Sequence, residues 1–140
     1  MINKIRVKLD EEARIDAPAH EGDAGYDIYS RDDRGIPPYG GAVFHTGVHI
    51  EIPRGYVGLL KSKSGLNVKH NLTGEGVIDS GYTGEICVKL RNYGPESYFF
   101  KKGDKLIQIL IVPVITPPLE IVDEIEGGER GENGFGSTGR

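Results

Sequence analysis

Glycine and proline punctuate this chain so densely that few stretches between them could sustain a helix. The 21 Gly and 8 Pro of a 140-residue sequence divide it into short pieces, and there Ile (15) and Val (10) far outnumber Ala (5). β-Branched side chains lose rotamer freedom in a helix and pack well on a pleated surface. Short strands separated by turns therefore predict an all-β sandwich or barrel. The length suits one domain with a genuine core and is too short for two.

Alternation marks individual strands. Ile5, Val7 and Leu9 alternate with Arg6 and Lys8, predicting a half-buried strand, and Val48, Ile50 and Ile52 predict another that ends at Pro53. Ile86, Val88 and Leu90 alternate with Cys87, Lys89 and Arg91, and residues 106–112 read as a strand buried on both faces. Gln108 is the single polar side chain in that last run. Burying it without partners would cost about 1–3 kcal/mol, so it either bridges core backbone groups or projects towards a polar ligand. The adjacent Tyr98, Phe99 and Phe100 suit core packing or a subunit contact. Residues 31–41 read as a surface connection, and 119–125 as a short apolar segment closing the ordered body.

Charge and composition narrow the function. A net charge of -4 with no long basic run argues against a nucleic-acid polymer as partner, although a local basic pocket can still hold a small anion. The single cysteine, Cys87, excludes an internal disulfide, and its place in an alternating strand suits a packed or half-exposed thiol better than a nucleophile. His20, His45, His49 and His70 share no i, i+4 spacing and read as surface or strand-face residues rather than metal ligands. No apolar run is long enough to span a bilayer, so a soluble, cytoplasmic protein of a cell or a virus-infected host cell is expected.

Several stretches carry chemistry. Gly76-Val-Ile-Asp-Ser-Gly-Tyr-Thr-Gly84 places one carboxylate, Asp79, and one phenol, Tyr82, in a tight turn between apolar runs. Asp79 can serve a reaction there, or merely cap backbone N–H groups of its own turn. Asp23-Ala-Gly-Tyr-Asp-Ile28 sets two carboxylates around a small centre that a ligand could approach closely, and it too can be a capped turn. Lys61-Ser-Lys-Ser-Gly-Leu66 offers ammonium groups, hydroxyls and an unobstructed amide, which suit phosphate oxygens or a solvated loop alike. Residues 67–75 should be the outbound arm of a hairpin or loop. From Gly127 the chain is Gly-rich, with a guanidinium at Arg130, an aromatic face at Phe135, hydroxyls at Ser137 and Thr138 and free amides such as that of Gly136. Such a tail is mobile until a ligand orders it, and could close over a base and a phosphate together.

Five of these segments, in order, resemble the motifs of the homotrimeric deoxyuridine triphosphatase family: Ala24-Gly-Tyr-Asp-Ile28, Lys63-Ser-Gly-Leu66, the turn from Gly76 to Gly84, Gly103-Asp-Lys-Leu-Ile-Gln108, and Arg130-Gly-Glu-Asn-Gly-Phe-Gly-Ser-Thr-Gly139. The resemblance covers almost the whole chain. It implies a jelly-roll-like, all-β catalytic domain over 1–126 and a flexible lid segment over 127–140. It also implies hydrolysis of dUTP to dUMP and diphosphate, which keeps uracil out of DNA and supplies dUMP for thymidylate synthesis.

By position, the resemblance makes Asp79 the base that activates water and sets Tyr82 beneath the deoxyribose. Lys63, Ser64, Gly65 and Gln108 would hold phosphate oxygens, and Asp27 would hold a water of the Mg²⁺ that the triphosphate chelates. Arg130, Gly136, Ser137 and Thr138 would close on the terminal phosphate while Phe135 stacks on uracil. The base would be read by hairpin backbone between about residues 71 and 77, with Thr73 and Val77 in contact. Each site would draw on three chains, the tail being donated across an interface.

Two positions depart from the family pattern. Lys63 stands where Arg is usual, replacing a planar fork by a point charge, and Gly81 stands where many members carry a second Asp. Two other functions share these features. A dCTP deaminase would need an acid–base Glu where this chain has Lys89, and a nucleotide-gated binding protein would use the tail to create a partner surface.

Overall fold

The computed structural model describes residues 2–136, 138 and 139, and among these the alternating segments form twelve strands and one helix. In chain order they are β1 (Arg6–Leu9), β2 (Ile15–Asp16), β3 (Tyr26–Tyr29), β4 (Arg34–Ile36), β5 (Gly41–His45), β6 (Val48–Glu51) and β7 (Tyr56–Lys61). Then come α1 (Ser64–His70), β8 (Leu72–Thr73), β9 (Glu75–Ile78), β10 (Cys87–Asn92), β11 (Tyr98–Phe100) and β12 (Lys105–Pro113). A five-stranded sheet has the order β2-β3-β12-β7-β9 and a three-stranded sheet the order β5-β10-β8, with β1 paired to β6 and β4 to β11. The pairings are antiparallel, as an all-β fold with short connections requires.

Alternation decides which side chains meet between the sheets. On β10, Val88, Leu90 and Asn92 point inward while Cys87, Lys89 and Arg91 are exposed. Facing positions on β5 supply Ala42 and Phe44, and the Phe44 ring meets Phe100 edge-on at 5.3 Å. Each fully buried Ile, Leu or Phe contributes about 1.5–3 kcal/mol relative to exposure. Asn92 is buried yet satisfied, donating to Ile36 O at 3.3 Å and Glu96 O at 2.7 Å and accepting from Gly94 N–H at 2.9 Å.

The central strand β12 differs from the expectation of burial on both faces. Its pairing with β3 slips between Lys105 and Ile107, a bulge that lets Leu106 and Ile107 both turn inward. Beyond it only Ile109 is fully buried, and Gln108, Leu110, Ile111 and Val112 are half-buried. Register then sets one polar row across the sheet: Asp16 pairs with Asp27, Asp27 with Gln108, Gln108 with Lys61, and Lys61 with Glu75.

Four further segments depart from their sequence patterns. Residues 31–41 are more than a surface connection, because Arg34–Ile36 pairs with β11 and buries Ile36 completely. Residues 64–70 form a helix too short to show apolar periodicity, and it buries none of its residues. It closes on Asn71 in the left-handed region (φ 58°), while Asn67 Nδ2 donates to Thr73 Oγ1 at 3.0 Å and ties the helix to β8. Strand β1 exists but lies on β6 outside the core, leaving Val7 and Leu9 exposed. Residues 119–125 adopt no regular structure and leave Leu119, Ile121 and Ile125 almost fully exposed. Among the described residues no helix is long and apolar enough to cross a membrane.

Candidate active site

The polar row collects three of the segments singled out in the sequence. Asp27, on β3, is largely buried, with Lys63 Nζ 2.6 Å from its Oδ1 and Lys105 Nζ 3.3 Å from its Oδ2. The two ammonium groups hold the carboxylate from both oxygens, and at 2.6 Å Lys63 Nζ is within charge-assisted hydrogen-bond distance of Oδ1.

Gln108 resolves the alternatives posed by its sequence position by bridging backbone. Its Nε2 donates to Ser62 O at 3.1 Å, which ties β12 to the segment before α1. Ser62 continues the chain of contacts, its hydroxyl donating to Gly74 O at 3.1 Å and accepting from Gly74 N–H at 3.0 Å. Ser62 and Asn67 thus hold the hairpin that carries Thr73, a role the sequence reading missed because it depends on pairing between distant segments. Ser64 and Gly65 open α1 at the surface, and Thr73 is half-buried on β8.

The turn after β9 is built differently from a capped Asx turn. Asp79 accepts Tyr82 N–H through its backbone carbonyl at 3.1 Å, so its carboxylate is not needed to close the turn. That carboxylate is exposed and makes no hydrogen bond among the described residues. Tyr82 folds back, its hydroxyl donating to Glu85 O at 2.6 Å and its ring lying where a Cβ on Gly84 would stand. Val77, on β9, is exposed beside this turn.

His49 was read as a strand-face residue and proves to hold the same turn from outside. Its Nδ1 faces Thr83 O at 3.0 Å and its Nε2 faces Asp10 Oδ2 at 3.0 Å. Two acceptors, one per ring nitrogen, favour the doubly protonated ring. The Asp10 hydrogen bond, then that to Thr83 O, raises the imidazole pKa above 6.5, with burial opposing, and the same bond holds the Asp10 carboxyl below its usual range.

The tail stands apart from the row. Arg130 donates to Asn133 O at 3.1 Å and Gly134 O at 2.8 Å, bonding its own segment, and Phe135 is fully exposed. Gly136 has φ +81°, a conformation that favours glycine, and Thr138 is exposed. Ser137 lies outside the described residues. The structure therefore joins Asp27, Lys63 and Gln108, places Asp79 and Tyr82 on a separate turn, and brings neither to Arg130 or Phe135.

Sequence and fold both match one family of known proteins. The dUTPase family model matches residues 11–139. The deoxyuridine 5'-triphosphate nucleotidohydrolase of Clostridium novyi is 42% identical over 135 residues, covering 94% of this chain and 95% of that protein. The dUTPase of Staphylococcus bacteriophage 80alpha, solved with dUpNHpp, superposes with a TM-score of 0.92 at 36% identity and covers 99% of this chain and 100% of its own. A mutant dUTPase from phage phi11 of Staphylococcus aureus, in which a structural Mg(II) ion is coordinated, superposes with a TM-score of 0.81 at 36% identity over 87% of this chain and 98% of its own.

Proposed function

Since this chain belongs to the dUTPase family and hydrolyses dUTP to dUMP and diphosphate, we propose that Asp79 is its general base and that the triphosphate lies along the polar row. The spare Asp79 carboxylate carries this reading. It accepts no bond from its own turn and is exposed, so it is free to take a proton from water. One water adds to the triphosphate, a phosphoanhydride bond breaks, and diphosphate leaves. Phosphoryl transfer of this kind needs positioning and charge neutralisation more than covalent help.

Lys63, Ser64 and Gly65 supply an ammonium, a hydroxyl and an open amide to the phosphates. Gln108, fixed through Ser62, presents its amide at the same place. Tyr82 packs against the sugar, and Thr73 and Val77 flank the base. Arg130, Gly136, Ser137 and Thr138 close on the terminal phosphate with Phe135 over uracil, so that 127–140 acts as a lid on a catalytic domain of 1–126. The residues fit a Mg²⁺-bound substrate, because Asp27 is a largely buried carboxylate on the polar row whose lone pairs, beyond those facing Lys63 and Lys105, could accept from a water of the metal. When bound, Mg²⁺ neutralises phosphate charge. Lys89, where a deaminase would need Glu, is exposed on β10 opposite Val43 and supports the hydrolytic reading.

The working unit in this reading is a homotrimer with shared sites. Two features support it: the exposed apolar segment containing Ile115, Leu119, Ile121 and Ile125, and an apolar groove lined by Ile5, Val7, Tyr26, Ile109 and Ile111. Complementation tests it. Asp79→Asn chains and chains ending at Gly127, each inactive alone, should regain partial dUTP turnover when unfolded and refolded together. Absence of any regain, with both trimers formed, would contradict shared sites.

A further inference from the structure

The outward face of β5 and β10 carries a cluster that the nucleotide chemistry does not use. His45 and Cys87 are direct cross-strand partners, and Glu85 lies two residues before Cys87. His45 Nδ1 is 2.9 Å from Glu85 Oε1, while Cys87 Sγ is 3.4 Å from His45 Nδ1 and 3.7 Å from Glu85 Oε1. With Zn–N and Zn–O bonds near 2.0–2.2 Å and Zn–S near 2.3 Å, tetrahedral ligand atoms stand about 3.3–3.8 Å apart. Both sulfur distances fall in that range. The shorter His–Glu distance is a hydrogen bond; on metal binding the neutral ring would carry its proton on Nε2 instead, leaving Nδ1 to ligate and opening this distance by about half an ångström.

The carboxylate is held for such a task. Glu85 Oε2 accepts from Arg31 Nη2 at 3.0 Å and from Gly47 N–H at 3.1 Å, which anchors one oxygen and leaves Oε1 facing the imidazole and thiol. Partners of this kind orient a metal-binding carboxylate. The His45 side chain is 62% exposed, so the cluster is open to solvent. We propose that His45, Glu85 and Cys87 form a Zn²⁺ site, separate from the Mg²⁺ that accompanies the triphosphate.

Ligand chemistry separates the two ions. Thiolate and imidazole suit Zn²⁺, whereas Mg²⁺ prefers oxygen ligands and keeps its waters. In the metal-free protein Cys87 is a free thiol. Binding forms a Zn–S bond and releases the thiol proton to the buffer. Arg31 neutralises part of the Glu85 charge, and the new thiolate supplies a compensating negative charge.

Cobalt titration of the full chain in excess Mg²⁺ tests the site. The chain has one cysteine, so a thiolate-to-cobalt charge-transfer band can come only from Cys87. The band should saturate at one Co²⁺ per chain and vanish on addition of one equivalent of Zn²⁺. Cys87→Ser should abolish it. Both Cys87→Ser and His45→Gln should weaken Zn²⁺ binding more than about tenfold against a chromophoric chelator, with metal-free thermal melting unchanged. Glu85 is left intact because it also holds Arg31 and Gly47. No band in the parent chain, or Zn²⁺ affinity unchanged in either variant, overturns the proposal.

Discussion

Gly25 and Gln108 share one volume: a Cβ built on Gly25 would stand 2.1 Å from Gln108 Oε1. The side chain that links β12 to Ser62 therefore occupies space left by the glycine of the first motif. Gly25→Ala should push Gln108 off Ser62 and cost about 1–3 kcal/mol, the usual range for overpacking, read by urea unfolding. Adding Gln108→Ala should recover part of that loss, because the contacts with Oε1 and Cδ disappear and only the Cβ at 3.0 Å remains. Equal effects in both backgrounds would show that the two residues do not compete.

Asp27 sits between Lys63 and Lys105, one ammonium group on each carboxylate oxygen. Asp27→Asn should raise the Mg²⁺ concentration for half-maximal dUTP turnover by about 10–100-fold, as expected for a residue that orients a metal through water. An unmoved Mg²⁺ titration would remove Asp27 from the metal's surroundings.

The His49 contacts make the turn's anchorage depend on pH. The folded imidazole pKa is raised, so its stabilising contribution is fully present below the unfolded value of about 6.5 and is lost as pH rises through the folded value. Asp10 is depressed, so its contribution is present above about 3.9 and is lost as pH falls through the folded value. Urea midpoints of the parent chain should therefore decline as pH rises above about 6.5. In His49→Gln that decline should be smaller, and an identical pH profile would exclude the Asp10–His49–Thr83 linkage.

Phe135 has no contact of its own to lose, being fully exposed. Phe135→Ala should leave thermal melting of the nucleotide-free protein unchanged and weaken dUpNHpp binding by about 1–3 kcal/mol if the ring stacks on uracil. Equal affinity measured by calorimetry would leave the lid without its aromatic contact.

How much of this was legible in the sequence depends on the range of each interaction. The alternation of Ile86, Val88 and Leu90 foretold the buried face of β10, because strand periodicity is local. Helix α1 was hidden, since its seven residues show no apolar periodicity, only Leu66 packing partly against the core, and depend on Asn71 and on contacts with β8. The bulge at Leu106 and the burial of Ile36 likewise depend on partner strands that local patterns cannot specify. At the site, Asp27, Lys63 and Gln108 were each singled out by residue type, but only pairing through β12 joins them. His49 and Ser62 escaped because their roles rest on contacts to backbone and side-chain groups of distant segments, and Asn67 because its bond to Thr73 depends on the turn at Asn71. The apolar residues at 119–125 suggested a closing segment of the ordered body, yet Leu119, Ile121 and Ile125 are left almost fully exposed among the described residues.

The central claim, that Asp79 activates water, is most directly tested by measuring dUTP turnover and dUpNHpp affinity together in Asp79→Asn. The account predicts a loss of about 10²–10⁴-fold in rate with analogue affinity retained, because the amide preserves the turn but cannot take the proton. Turnover equal to that of the parent chain would contradict it.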